Sequence, residues 1–272
     1  MTEIQRYVAF SADPRGGNPA GVVLDAGGLG DAEMLAIAAE VGYSETAFVT
    51  GRPGGAYRVR YFSPVLEVPF CGHATVATAA ALGPGEHLFV TNAGEVPVTV
   101  GTDGVATLTS VATSVADLAA GDLTALLAAL RWGRDDLDTA LPPRVAYAGA
   151  YHPILAVTSR ERLAGLDYDV PALKALMTER GWTTVQLVHR AGAAEFAVRN
   201  PFPIGDVYED PATGAAAAAL GGYLRELGLV PADATLLLRQ GDDLGRPSRI
   251  TVRLVPGEPG VRVSGAAVPI AT

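Results

Sequence analysis

The chain has 272 residues, 49% of them hydrophobic and 18% charged, with a formal net charge of −9. This is a globular composition, long enough for one large domain or two ordinary ones, and its acidic balance excludes the basic patch that a nucleic-acid or anionic-membrane surface needs. A single cysteine, Cys71, rules out an internal disulfide and a cysteine-rich metal site.

The first twenty residues show no basic stretch followed by an apolar core, and no run approaches the roughly 20 apolar residues that span a bilayer. A soluble cytoplasmic protein with no membrane or nucleic-acid partner is therefore expected. Residues 5–10 read as an opening strand. Residues 16–28 read as a glycine- and proline-bearing turn that runs into a short strand at 22–24. Its glycines match neither GxGxxG nor a P-loop, so no nucleotide site is expected. Asp31 stands as the N-cap of a helix whose Met34, Ile37, Ala38 and Val41 fall on one stripe, and Gly42 ends it. Strands are predicted at 44–49 and 57–62, and Glu45 is a carboxylate at the mouth of the first. A solvated strand-end charge is the plain reading of such a residue; a half-buried one would be placed for proton transfer.

Residues 67–82, EVPFCGHATVATAAAL, are the stretch around which the chain is organised. Cys71 and His73 flank Gly72, and the helix predicted after them is small and apolar on every face, which only complete burial can accommodate. Gly83, Pro84 and Gly85 stop it. The same construction returns at residues 209–224, EDPATGAAAAALGGYL, with its first charges at Arg225 and Glu226. Each copy has a similar approach, Arg60-Tyr61-Phe62-Ser63-Pro64 and Arg199-Asn200-Pro201-Phe202-Pro203. This is a weak internal duplication with two buried helices, whose positive N-terminal ends, brought face to face, would suit a small carboxylate.

Short strands are predicted at 88–90, 96–100 and 106–110, with the first domain ending near Thr113. Asp122 is expected to cap a helix carrying Leu123, Leu126, Leu127 and Leu130. Strands at 145–148 and 154–158, a helix from Pro171 to Arg180 stopped by Gly181, and strands at 184–188 and 195–198 lead to the second buried helix. Antiparallel strands at 235–239, 249–255 and 261–263 close the chain. The expected class is α+β, with residues 1–113 as an N-terminal lobe carrying Glu45 and His73, completed by a strand at 264–272. Residues 114–263 form a C-terminal lobe carrying Asp210.

The candidates for chemistry are Glu45, Cys71, His73, Asp210 and Thr213. A Cys71–His73 nucleophile needs an arranged base and an oxyanion site, and a lone cysteine between Phe70 and Gly72 more often packs as a small apolar residue. His73, His87, His152 and His189 show no HxH or HExxH spacing, so no metal is expected. A carboxylate–imidazole–carboxylate set, Glu45, His73 and Asp210, would move protons on a carbon acid with no cofactor, and is one plausible site among several.

Five motifs then occur in order: GNPAGVVLDA at 17–26, SETAF at 44–48, CGHAT at 71–75, EDPATG at 209–214 and GRPS at 245–248. Together, and over nearly the full length, they resemble the PhzF-like family of phenazine-biosynthesis isomerases and their relatives. The resemblance implies a diaminopimelate-epimerase-like fold of two similar lobes, each a curled mixed sheet around a central helix, an active site in the interlobe cleft, and a homodimer. It implies that Glu45 is the general acid/base, assisted by His73 and Asp210. The backbone amides around Gly72-His73 and Gly214-Ala215, beside Thr213, would receive a substrate carboxylate. The type reaction is a cofactor-free double-bond isomerisation of a dihydroxylated cyclohexadiene carboxylate. Racemase relatives use two cysteines, and nothing around Asp210 supplies the second. Ala215 stands where the family often has serine, and Gly42 where asparagine is frequent. The competing expectation is a catalytically silent protein that binds a small molecule in the same cleft.

Overall fold

The alanine-rich run that opens at Gly72 forms a helix whose residues from His73 to Ala79 are all buried, and strands surround it. The computed structural model describes residues 2–271. The chain forms two compact units, a first of Met1–Thr109 with Ser264–Thr272 and a second of Ser110–Val263.

The first unit contains β1 (Gln5–Ala9), β2 (Asn18–Val23), α1 (Asp31–Val41), β3 (Thr46–Gly51), β4 (Tyr57–Phe62), β5 (Glu67–Val68), α2 (Gly72–Leu82), β6 (Gly85–Thr91), β7 (Gly94–Val100) and β8 (Val105–Thr109). The sheet is mixed. β1 runs antiparallel to β2, β2 parallel to β3, β3 antiparallel to β4, and β4 parallel to β6. β2 begins at Asn18, four residues before the predicted strand. Pro19 and Gly21, which read as a turn, lie in the ladder with β1 and pair with Val8 and Arg6. One face of the sheet packs on α2, which touches β1, β2, β3, β7 and β8. The other carries Val23, Phe48 and Phe62 against Met34 and Ala38 of α1. Asp31 does not cap α1. Gly30 holds the N-cap position, its N–H donates to Glu33 Oε2 at 2.8 Å, and Asp31 reaches Arg60 instead.

The second unit repeats this order. Its elements are β9 (Ser114–Asp117), α3 (Ala120–Leu130), β10 (Arg144–Tyr147), β11 (Tyr151–Ala156), α4 (Arg160–Ala164), α5 (Val170–Arg180), β12 (Gln186–Arg190), β13 (Glu195–Pro201), β14 (Glu209–Asp210), α6 (Gly214–Glu226), β15 (Thr235–Gln240) and β16 (Ser248–Arg253). The directions recur as antiparallel, parallel, antiparallel and parallel from β10 through β11, β12 and β13 to β15. α6 is buried from Ala216 to Leu224 and packs on β9, β10, β11 and β16. Its glycines permit that closeness, since a Cβ on Gly222 would stand 2.5 Å from Thr113 and one on Gly221 2.6 Å from Val252. The opposite sheet face packs Leu155 and Leu187 against Leu126, Leu130, Leu173 and Met177 of α3 and α5, with Trp132 and Trp182 filling the edges. Asp122, predicted as a cap, sits inside α3 and pairs with Arg180; Ala119 is the N-cap.

The last strand, β17 (Arg262–Pro269), joins the strands expected at 261–263 and 264–272 into one, and its later residues pair with β1. Among the described residues no helix is long and apolar enough to cross a membrane.

Candidate active site

Glu45 immediately precedes β3, and its carbonyl accepts from Gly21 N–H. Phe48 and Phe62 face α1, so side-chain alternation turns Ala47 and Glu45 to the α2 face. There Glu45 Oε2 lies 3.4 Å from His73 Nε2, with side-chain exposures of 14% and 6%. Cys71 is the extended N-cap of α2, and His73 is the helix's second residue. The turn is pinned by Thr75, whose hydroxyl donates to the Cys71 carbonyl at 2.7 Å while Tyr61 donates to that hydroxyl at 2.7 Å.

Two further residues set the ring. Asn18 Nδ2 stands 3.2 Å from His73 Nδ1, and Ser44 Oγ stands 3.3 Å from Nε2. An amide nitrogen only donates, so Nδ1 accepts and the neutral ring carries its proton on Nε2, directed between Ser44 and the Glu45 carboxylate. Burial holds the His73 pKa below the ordinary imidazole value, against the opposing pull of Glu45. Near neutral pH the imidazole facing Glu45 is thus neutral and donating. Cys71 Sγ lies 3.3 Å from His73 Nδ1, and one donor atom from each of Glu45, Cys71 and His73 lies within 4.8 Å of those of the other two.

Asp210, Thr213, Gly214 and Ala215 belong to the second unit. Thr213 Oγ1 donates to Asp210 Oδ2 at 2.6 Å. Buried Gln240, at the end of β15, ties the turn together: its Nε2 donates to the Asp210 carbonyl at 2.7 Å, and its Oε1 accepts from Thr213 N–H at 3.0 Å. Ser248 secures the same turn through the Pro211 carbonyl at 2.8 Å. Gly214 begins α6 directly after Thr213, so the first-turn amides of Gly214 and Ala215 follow the Asp210 turn.

The predicted Glu45 and His73 therefore meet, and Asp210 and Thr213 form a second cluster. Asn18, Ser44 and Gln240 were not singled out from the sequence. Asn18 and Ser44 lie within the GNPAGVVLDA and SETAF motifs, so a signal was present; Gln240 lies outside every motif, and only the fold reveals it.

Comparison with known proteins follows the same lines. Residues 7–272 match the PhzC-PhzF family, described as phenazine biosynthesis-like protein. An uncharacterized isomerase of Deinococcus radiodurans is 36% identical, over 93% of this chain and 87% of its own length. The trans-2,3-dihydro-3-hydroxyanthranilate isomerase of Pseudomonas aeruginosa is 33% identical, over 97% of this chain and 95% of its own. The crystal structure of a PhzF-family phenazine biosynthesis protein from Bacillus anthracis superposes with a TM-score of 0.89 at 26% identity, covering 99% and 97% of the two chains.

Proposed function

Because this chain belongs to the phenazine biosynthesis-like PhzC-PhzF family and is an isomerase, we propose that Glu45 moves a proton between two carbons of a small carboxylated metabolite without a cofactor. The observation that carries this reading is the Glu45 carboxylate 3.4 Å from His73 Nε2. The carboxylate takes the proton from one carbon, the electron pair of the broken C–H bond shifts through the adjacent double bond, and the Glu45 carboxyl returns a proton at the far carbon. His73, neutral and donating, steadies the carboxylate while it is charged and holds it in one rotamer.

Asp210 and Thr213 are further substrate contacts in this proposal, and the first-turn amides of Gly72-His73 and of Gly214-Ala215 are groups suited to a substrate carboxylate. The substrate class is a cyclohexadiene carboxylate or a close relative, as the name of the Pseudomonas aeruginosa protein suggests. Ala215 offers only its backbone N–H where a hydroxyl is frequent, so the substrate of this chain need not present a group to meet one. The homodimer implied by the family resemblance is carried into the proposal and is checked by solution mass.

Glu45→Gln keeps the size and most of the hydrogen bonding but cannot accept a proton from carbon. Turnover is expected to fall about 10²–10⁴-fold, the usual worth of a positioned acid–base group, with affinity for a substrate analogue retained. Undiminished turnover removes Glu45 from the role.

A further inference from the structure

Thr213 is the N-cap of α6, yet its hydroxyl makes no cap hydrogen bond. A threonine in that place ordinarily turns its oxygen to the free amides of the first turn. Here the hydroxyl donates to Asp210 Oδ2 instead, at 2.6 Å. Gln240 accounts for the diversion. It is buried, and its carboxamide meets two backbone groups whose roles cannot be exchanged. Oε1 accepts from Thr213 N–H at 3.0 Å, and Nε2 donates to the Asp210 carbonyl at 2.7 Å. The amide therefore has one orientation, and the second hydrogen of Nε2 goes to Thr213 Oγ1 at 3.0 Å. An oxygen that accepts there has its own hydrogen left for Asp210. The chain runs one way, from Gln240 through Thr213 to the carboxylate. The repeated scaffold does not call for it. With Arg60 set against Arg199, the pairing of Tyr57 with Phe89 and of Phe196 with Leu238 puts Thr91 at the place of Gln240. The Thr91 hydroxyl donates to the Gly94 carbonyl, within its own hairpin.

We propose that Gln240 is a positioning residue, which aims the Thr213 hydroxyl at Asp210 and so fixes that carboxylate as a charged hydrogen-bond acceptor. A donated hydrogen bond favours the ionised form of a carboxyl group. The diverted hydroxyl also leaves the first-turn amides of α6 unclaimed by their own cap. Asp210 then receives a donor from the substrate, a hydroxyl or an ammonium group. That consequence rests on the proposed substrate contact of Asp210, whereas the hydrogen-bond chain does not.

The test needs no substrate. Protein carrying ¹³C at its aspartate carboxyls is titrated from about pH 7 to about pH 3, which brackets the ordinary carboxyl range. Asp210 is assigned by the signal lost in Asp210→Asn. Thr213→Val is expected to raise its midpoint by about 0.5–1 pH unit, the share of one donor where two or three together depress a carboxyl strongly. Gln240→Met is expected to move it the same way, as the released hydroxyl returns to the first-turn amides. Thr213→Ser keeps the hydroxyl, and Gln186→Met removes a different buried amide of the same unit; both are expected to leave the midpoint in place. Every exchange is neutral for neutral, so the charges of Arg160, Arg199, Glu209 and Asp243 beside the turn are constant throughout. A midpoint unmoved in Gln240→Met or in Thr213→Val overturns the proposal. The wild type supplies a second measurement, since Gln5, Gln186 and Gln240 are the chain's glutamines and their ¹⁵N side-chain signals are easily separated. Both Nε2 hydrogens of Gln240 should exchange with solvent about 100-fold or more slowly than those of Gln5, and one fast hydrogen overturns the chain. Either failure leaves the isomerase reading intact, because that reading falls only on the turnover of Glu45→Gln.

Discussion

The two units share one register and differ in what they place upon it. Arg60 pairs opposite Phe48 and Arg199 opposite Leu187; the next residues, Tyr61 and Asn200, pair with Val68 and Asp210. After these come Pro69-Phe70-Cys71-Gly72-His73 and Pro211-Ala212-Thr213-Gly214-Ala215. An arginine–glutamate fork recurs at the same place in both, Arg60 with Glu67 and Arg199 with Glu209. The fork shapes each turn into its buried helix and is common to both units. The reactive groups are not: Cys71 and His73 correspond to Thr213 and Ala215, and Val68 to Asp210. Counting back three residues from Phe48 and Leu187 sets Glu45 against Thr184. The repeated scaffold has thus kept its structural pair, while the side chains proposed to carry chemistry differ between its two copies.

The largest expected effect tests that division. Loss of the Glu45 carboxylate should cost orders of magnitude in turnover, whereas Thr184→Val, at the corresponding position, should change stability and leave the Glu45–His73 pair in place.

The two forks should also part company, because Arg60 and Glu67 remain 22% and 26% exposed while Glu209 is fully enclosed. Arg199 also donates to the carbonyls of Leu163 and Ala164, which favours the ionised pair although burial raises the Glu209 pKa. Glu209→Gln should cost about 3–5 kcal/mol in urea unfolding by leaving a buried cation, and Glu67→Gln about 1 kcal/mol or less. Equal costs would break the comparison.

Next comes pH. Burial lowers His152, inside the second unit, from 6.5 to about 4. The native state therefore disfavours the protonated ring, so stability is full above pH 6.5 and declines as pH falls toward 4, by about 3 kcal/mol over that window. His73 is lowered too and adds in the same direction. His152→Gln should flatten the slope of stability against pH, and an unchanged slope would remove His152 as its source.

The smallest effects sit beside His152. Thr184 Oγ1 accepts from His152 Nδ1 at 2.9 Å and donates to Asn200 Oδ1 at 3.0 Å. Thr184→Val strips both partners and should cost about 1–3 kcal/mol. Gln186, also buried, has no hydrogen-bond partner among the described residues at either amide atom, so Gln186→Met should be within about 1 kcal/mol of the wild type or stabilise it.

Much of this was legible in the sequence, for physical reasons that differ by residue. Runs of alanine with no polar face announced α2 and α6, because only a buried helix tolerates them. The EVPFCG and EDPATG motifs announced the duplication because the turn into each helix constrains every position. Helix caps were less legible: Asp31 and Asp122 look like caps locally, but each is claimed by a distant arginine. β17 was read as two strands, 261–263 and 264–272, because its continuity is not a local property. It depends on pairing with β1 and on Gly265, where a Cβ would stand 2.3 Å from the ring of Phe10, itself held at φ 63°. The Glu45–His73 meeting was reachable because the SETAF and CGHAT motifs carry both residues. The Gln240 brace was not, since its partners lie 27 and 30 residues away.

The most direct measurement is solvent-hydrogen exchange into carbon. With trans-2,3-dihydro-3-hydroxyanthranilate and a panel of related cyclic carboxylates in D₂O, the wild type should place deuterium at a carbon of a ligand it binds, and Glu45→Gln should bind that ligand without labelling it. Labelling by Glu45→Gln at the wild-type rate, or bound ligand left unlabelled by the wild type, would contradict proton transfer by the Glu45 carboxylate.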